Sequence, residues 1–190
     1  MLLSCLGFIF AVGTAAGQSP SAQTLQLCAA CHGDKGNSQM PGSPSLAGQP
    51  HVFIENQLVM IREGLREVAQ MKGLLADMKD EEFAALAKYF SQQKIQAQII
   101  SLDTSKAARG AVLSKRGQCG SCHLPDYAGR EQMPRLAGQR EDFLLSSMKE
   151  FRDGRAIGRD TIMVATLRGL SDADLTDLAH YLATTSDGAK

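Results

Sequence analysis

Apolar residues recur at helical spacing in two matching stretches of the chain. Phe83, Leu86, Ala87 and Phe90 stand at i, i+3, i+4 and i+7, which predicts a helix over about 80–93 with one buried face. Phe83-Ala84-Ala85-Leu86-Ala87-Lys88-Tyr89 is echoed by Leu175-Thr176-Asp177-Leu178-Ala179-His180-Tyr181 at an offset of 92, predicting a second such helix over about 172–184. Ser171 three residues before Asp174 resembles a capping box; Lys79 fills that place in the first copy, so its cap falls to Asp80 or another residue. Another helix is expected from Pro50, whose missing N–H costs nothing there, to about Glu63, closed by Gly64. Its counterpart runs about 140–153 and closes on Gly154. Two further helices are expected at about 22–32 and from Lys106 to His123. Between them lie a Gly/Pro/Ser-rich loop from Gly33 to Gln49, a loop over 65–79, and a linker from about Ser91 to Thr104. No stretch alternates strictly with period two, so no sheet is expected.

The repeat carries the chemistry. Cys28-Ala29-Ala30-Cys31-His32 recurs as Cys119-Gly120-Ser121-Cys122-His123 at an offset of 91. C-x-x-C-H is the attachment signature of a c-type haem. Cysteines three apart on a helix share a face and reach two vinyl groups on one porphyrin edge, and the following histidine places its imidazole under the iron. Pro44-Ser45-Leu46-Ala47-Gly48-Gln49 maps to Pro134-Arg135-Leu136-Ala137-Gly138-Gln139, Phe53 to Phe143, and Arg62-Glu63-Gly64 to Arg152-Asp153-Gly154, all at offset 90. The chain therefore reads as two copies of one haem domain, each about three helices wrapped round a covalently bound haem. Such short helices leave little apolar core, and loops this long are uncommon in compact domains unless something packs against them. The apo-protein is expected to be poorly folded, since a group bound to the native state stabilises it.

The repeat also selects the sixth iron ligand. His51 maps to Glu141 and His180 to Lys88, so neither is echoed; both read as surface or helix-packing histidines. Met40 and Met133 are paired but lie eight and ten residues from His32 and His123, leaving little chain to pass round the macrocycle. Met71 and Met163 lie 39 and 40 residues beyond their histidines, each eight residues before the residue that precedes the last helix. These two are the expected ligands; Met60, Met78 and Met148 read as core filler.

Composition narrows the setting. The chain has 190 residues and zero formal net charge, with 20 basic and 20 acidic residues. Nucleic acid, which needs a basic excess, is not an expected partner, and neither half is polybasic. Haem propionates would make the loaded protein mildly acidic, so a basic patch on a partner would help docking only modestly. Of five cysteines, four sit in the two motifs and Cys5 lies in the N-terminal apolar run. That run, Leu2 to Gly13, is too short to span a bilayer comfortably, and Thr14-Ala15-Ala16-Gly17 follows as a cleavage zone. Residues 1–17 are expected to be a secretory signal, or a membrane anchor if uncleaved; no Lys or Arg precedes the apolar run. The domains are then expected at 18–95 and 96–190.

With Cys-Ala-Ala-Cys-His-Gly, both Pro-x-Leu-Ala-Gly-Gln segments, and Met-x-x-x-Leu at Met71 and Met163, the chain resembles a dihaem class I cytochrome c of the cytochrome c4 type over about 22–185. The resemblance implies an all-α protein of two tandem class I cytochrome c domains. It implies two covalently bound haem c groups, held through Cys28, Cys31, Cys119 and Cys122, with His32/Met71 and His123/Met163 as axial pairs. It also implies that the Pro44 and Pro134 carbonyls accept a hydrogen bond from the haem histidines, fixing the rings and raising their basicity. Leu124, where the first copy has Gly33, departs from the pattern. The implied role is a periplasmic electron carrier, in some relatives membrane-associated, between a quinol-oxidising bc complex and a terminal oxidase.

His/Met ligation raises the iron potential and fills the sixth site, which favours outer-sphere electron transfer over catalysis. The alternative is an electron-accepting cytochrome subunit of a periplasmic dehydrogenase. A peroxidase-like dihaem enzyme would need one dispensable methionine, and both are paired. A thiol oxidoreductase would place C-x-x-C after a strand, and a zinc site needs more ligands than each copy supplies.

Overall fold

The computed structural model describes residues 19–96 and 98–185; the signal-like segment 1–17, with Cys5, lies outside them. The described residues form α1 (Ala22–His32), α2 (His51–Arg62), α3 (Asp80–Ser91), α4 (Thr104–Arg116), α5 (Cys119–His123), α6 (Glu141–Arg152), α7 (Thr161–Leu167) and α8 (Asp172–Thr184). Two 3₁₀ turns, Asp34–Gly36 and Ala69–Met71, complete the regular structure. The all-α expectation holds; the one extended pairing among the described residues is an isolated bridge between Arg130 and Met133.

Two elements differ from the sequence reading. The helix expected from Lys106 to His123 is broken: α4 ends at Arg116, Gly117 caps it, and Gln118 turns left-handed at φ 53° before α5 begins. Gly117 is the cheap place to stop, because glycine is the weakest helix former after proline. The loop expected around Met163 instead holds α7, started by Asp160, whose carboxylate accepts the Ile162 N–H at 2.8 Å. The second copy thus has five helices where about three were expected. Pro50 proves to be the residue before α2, not its first turn; Arg140 takes the same backbone angles before α6.

Each copy buries its last helix against its middle one. α3 buries Phe83, Leu86, Ala87 and Phe90, the four residues of the periodic stretch; the last three cluster with Ile54 of α2, and Phe83 lies under the Arg62 guanidinium. α8 packs against both α4 and α6, burying Leu175, Leu178, Ala179 and Leu182. α4 lies so close to α8 that a Cβ on Gly110 would overlap the Asp177 carbonyl oxygen. α1 behaves differently from α4, with none of its residues fully buried. The caps follow the sequence in part. Ser171 and Asp174 form the expected box, whereas before α3 the Lys79 N–H is taken by Glu82 at 3.0 Å.

Candidate haem sites

Each motif histidine ends a helix and turns its ring onto a proline carbonyl. His32 Nδ1 lies 2.8 Å from the Pro44 carbonyl oxygen, and His123 Nδ1 lies 2.7 Å from that of Pro134. A carbonyl only accepts, so both Nδ1 atoms carry the proton, and Nε2 keeps the lone pair a metal needs. Burial pushes both imidazoles below the ordinary histidine value, offset in part by these hydrogen bonds. Both rings are therefore neutral at neutral pH, as ligation requires.

The cysteines stand where the motif needs them. Cys28 and Cys31 lie in the last two turns of α1, and Cys119 and Cys122 span α5. None of the four is in a disulfide. Burial raises the Cys28 thiol above its ordinary value, opposite to the depressed pKa of a redox nucleophile. Two thiols three apart, followed by a neutral imidazole with a free Nε2, fit a covalently attached haem in each copy.

The proline carbonyls are presented by a shared loop design. Leu46 and Ala47 donate to the Gly36 carbonyl at 2.7 and 3.1 Å; Leu136 and Ala137 donate to that of Tyr127 at 2.9 and 3.2 Å. Gln49 N–H returns to the Leu46 carbonyl, and Gln139 N–H to that of Leu136, closing tight turns. Their third residues, Gly48 and Gly138, sit at φ 66° and 67°, the left-handed geometry that favours glycine there. Their N–H groups bond the Phe90 and Leu182 carbonyls of the last helices.

The methionine segments are anchored just after the methionines. Leu75 and Leu167, four residues beyond Met71 and Met163, are buried. Met71 ends a 3₁₀ turn and Met163 lies on α7; both are half-buried. Met40, by contrast, is exposed, while Met148 lies in the second copy's core and Met78 packs against the first copy's. His180 is a buried packing residue whose two ring nitrogens are both engaged. Nε2 accepts the Asp103 N–H at 3.0 Å and Nδ1 lies 3.1 Å from a Glu141 oxygen. His51 is exposed at the start of α2.

Several working residues were visible in the repeat but carried no assigned role. Arg62 bonds the Met78 carbonyl at 3.0 Å and pairs with Asp80 at 2.8 Å; Arg152 bonds the Leu170 carbonyl at 3.3 Å and pairs with Asp172 at 2.6 Å. Arg62 thus ties the end of α2 to the start of α3, and Arg152 the end of α6 to the start of α8, closing the segment that carries Met71 or Met163. Gln49 and Gln139 cross between the copies. Gln49 Oε1 accepts the Arg135 N–H and its amide donates to the Arg135 carbonyl, both at 3.0 Å. Gln139 Oε1 accepts the Ser45 N–H at 2.8 Å and its amide donates to the Ser45 carbonyl at 2.9 Å.

Comparison with known proteins agrees with this geometry. The family described as "Cytochrome c" matches residues 107–186, and "Cytochrome C oxidase, cbb3-type, subunit III" matches residues 15–90. The cytochrome c4 of Pseudomonas aeruginosa is 34% identical over 96% of this chain and 94% of that protein. The chain belongs to the cytochrome c4 family. The crystal structure of reduced recombinant cytochrome c4 from Pseudomonas stutzeri superposes with a TM-score of 0.79 at 30% identity, covering 88% of this chain and 100% of that one. A thiosulfate dehydrogenase electron acceptor from Thiomonas intermedia is 31% identical over 82% of this chain and 77% of that protein. As a cytochrome c4-type protein the chain is a dihaem electron-transfer cytochrome with two covalently bound haem c groups.

Proposed function

We propose that the chain is a periplasmic electron carrier, not an enzyme, receiving electrons from a quinol-oxidising bc complex and passing them to a terminal oxidase. Residues 18–95 and 96–190 form its two haem domains, and residues 1–17 its export signal. Cys28 and Cys31 hold one haem through thioethers, and Cys119 and Cys122 the other. With haem bound, His32 and His123 would ligate its iron through Nε2, and Met71 and Met163 through sulfur. The Pro44 and Pro134 carbonyls fix the two rings and raise the basicity of Nε2. When bound, haem iron supplies a one-electron change between its ferrous and ferric states. These residues would fill both protein-derived ligand positions and shield the iron from water, so little would rearrange as the charge changes.

The observation that carries this reading is the repeated placement of a neutral histidine, its Nδ1 on a proline carbonyl, directly after two cysteines that form no disulfide. Replacing Met71 or Met163 with Ala should abolish half of the thioether-to-iron charge-transfer band of the oxidised protein; an unchanged band in both variants refutes the ligand assignment. Quinol-driven reduction and oxidase-driven reoxidation of the purified protein on washed membranes test the route. Export and heat-stable release from the periplasm test the location.

The relationship to a thiosulfate dehydrogenase electron acceptor favours one second reading, an electron-accepting subunit of a periplasmic dehydrogenase. Stoichiometric co-purification with a catalytic subunit distinguishes it from a free carrier. Among the described residues no helix is long and apolar enough to cross a membrane. Peripheral membrane association through an uncleaved N-terminal segment is testable by salt and detergent extraction.

A further inference from the structure

The reciprocal glutamines do more than join the two copies. The carbonyl that accepts from His32 and the N–H that donates to Gln139 belong to the same peptide group, the one joining Pro44 to Ser45. In the other copy the peptide joining Pro134 to Arg135 accepts from His123 and donates to Gln49. Two hydrogen-bonded chains thus run across the interface: His32 to the Pro44–Ser45 peptide to Gln139, and His123 to the Pro134–Arg135 peptide to Gln49. Gln49 and Gln139 are 4% and 5% exposed, so these bonds sit away from competing water. The amide orientations are fixed, because each faces one backbone donor and one backbone acceptor. Gln139 Oε1 also takes the Arg140 N–H at 2.9 Å, whereas Gln49 is followed by Pro50, which has none.

A peptide whose N–H is bonded is polarised, and its carbonyl becomes the stronger acceptor; such chains gain roughly 10–30% per bond. We propose that Gln49 and Gln139 are positioning residues, each tuning the iron-ligating histidine of the opposite copy through a polarised peptide. Gln139 strengthens the pull of Pro44 on the His32 ring proton, and Gln49 that of Pro134 on His123. A more basic Nε2 favours ferric iron, so each copy lowers the other's reduction potential. The inference rests on His32 and His123 being the iron ligands.

The test uses the dihaem protein with Gln139→Met or Gln49→Met, which keep apolar bulk and lose both bonds to the opposite copy; Gln139→Met also loses the bond to the Arg140 N–H. The readouts are the His Nδ1–H proton resonances of the reduced protein and a redox titration followed through the haem methyl signals of each copy. In Gln139→Met the His32 proton moves upfield and the first haem becomes easier to reduce by about threefold, ~28 mV at 59 mV per tenfold for one electron. His123 and the second haem stay unchanged. Gln49→Met gives the converse. Gln139→Glu, which keeps an acceptor for the Ser45 N–H, leaves the His32 resonance near its original position. Gln139→Asn, which keeps the amide but shortens its reach, replaces the Met variant if that one loses haem. A shift confined to the variant's own copy, equal shifts in both, or none overturns the proposal. If neither histidine proton shows a haem ring-current shift in the unmodified protein, the ligand reading itself fails and takes the inference with it.

Discussion

The residue after each motif histidine shows how one backbone shape is met by different side chains. Gly33 and Leu124 both hold positive φ, 75° and 70°, with extended ψ of 171° and 156°. That region is nearly confined to glycine, and a leucine there stores about 1–3 kcal/mol of strain. The strain is held by the turn that follows, where the Tyr127 N–H returns to the Leu124 carbonyl at 2.9 Å. Leu124→Gly should therefore change stability by less than about 1 kcal/mol, relief of strain offsetting the looser unfolded chain. Gly33→Ala should cost about 3 kcal/mol or more, because its Cβ would overlap the Asn37 carbonyl oxygen. Denaturant midpoints of the haem-loaded protein check both. His180 makes a second case. Deleting its ring strands the Asp103 N–H and leaves Glu141 without its partner, so His180→Ala should cost about 2 kcal/mol and lower the second copy's midpoint without altering either haem spectrum. The sequence excluded His180 from ligation because the repeat did not echo it; the structure supplies the reason, since both ring nitrogens are already engaged.

At the scale of elements, the helices that bury a periodic face were legible and those held by local caps were not. Phe83, Leu86, Ala87 and Phe90 announce α3 because burial on one face demands that spacing. α7 spans only Thr161 to Leu167, too short for a period to register, and depends on the Asp160 cap and on burial of Leu167. The break between α4 and α5 was hidden for another reason. Gly117 is tolerable within a helix, and only the left-handed Gln118 shows that the chain turns there to set the second motif apart from α4. Close packing of α4 on α8 gives this part of the fold a specific weakness. Gly110→Ala should destabilise the second copy by about 2 kcal/mol, steric overlap with the Asp177 carbonyl outweighing alanine's better helix propensity. Thermal melting followed at each haem should show only the second copy shifted.

Across the whole molecule, the two copies are alike in path and unequal in support. The first apolar cluster centres on Ile54, Leu86, Ala87 and Phe90, and α1 contributes no fully buried residue to it. The second adds Tyr127, Ala137, Leu144, Met148 and Leu167 to Leu175, Leu178, Ala179, Leu182 and Ala183 of α8. Haem attachment should matter more to the first copy. Cys28→Ser with Cys31→Ser should expose the first copy's amides to hydrogen exchange more than Cys119→Ser with Cys122→Ser exposes the second's. The interface adds a pH term. Asp142 accepts the Gly42 N–H from the other copy at 2.8 Å. Burial works to raise its carboxyl, but the Arg140 guanidinium and the Gly42 and Phe143 N–H groups outweigh this and hold it below the ordinary value. A depressed folded-state pKa contributes stability that is present above the unfolded value, about 3.9, and is lost as pH falls through the folded one. Acidification below about pH 4 should loosen the interface, and Asp142→Asn should flatten that part of the pH profile, as read by small-angle scattering. Sequence alone determined the duplication, the covalent haem motifs, the helical class and the family. These depend on residue types at short spacing, and a repeat preserves such spacing. Only the tertiary structure decided that Arg62 and Arg152 close the methionine loops, and that Gln49 and Gln139 each bond the peptide beside the other copy's histidine. Their partners lie far away along the chain or in the opposite copy, and no local pattern encodes a contact that exists only once both copies have folded and met.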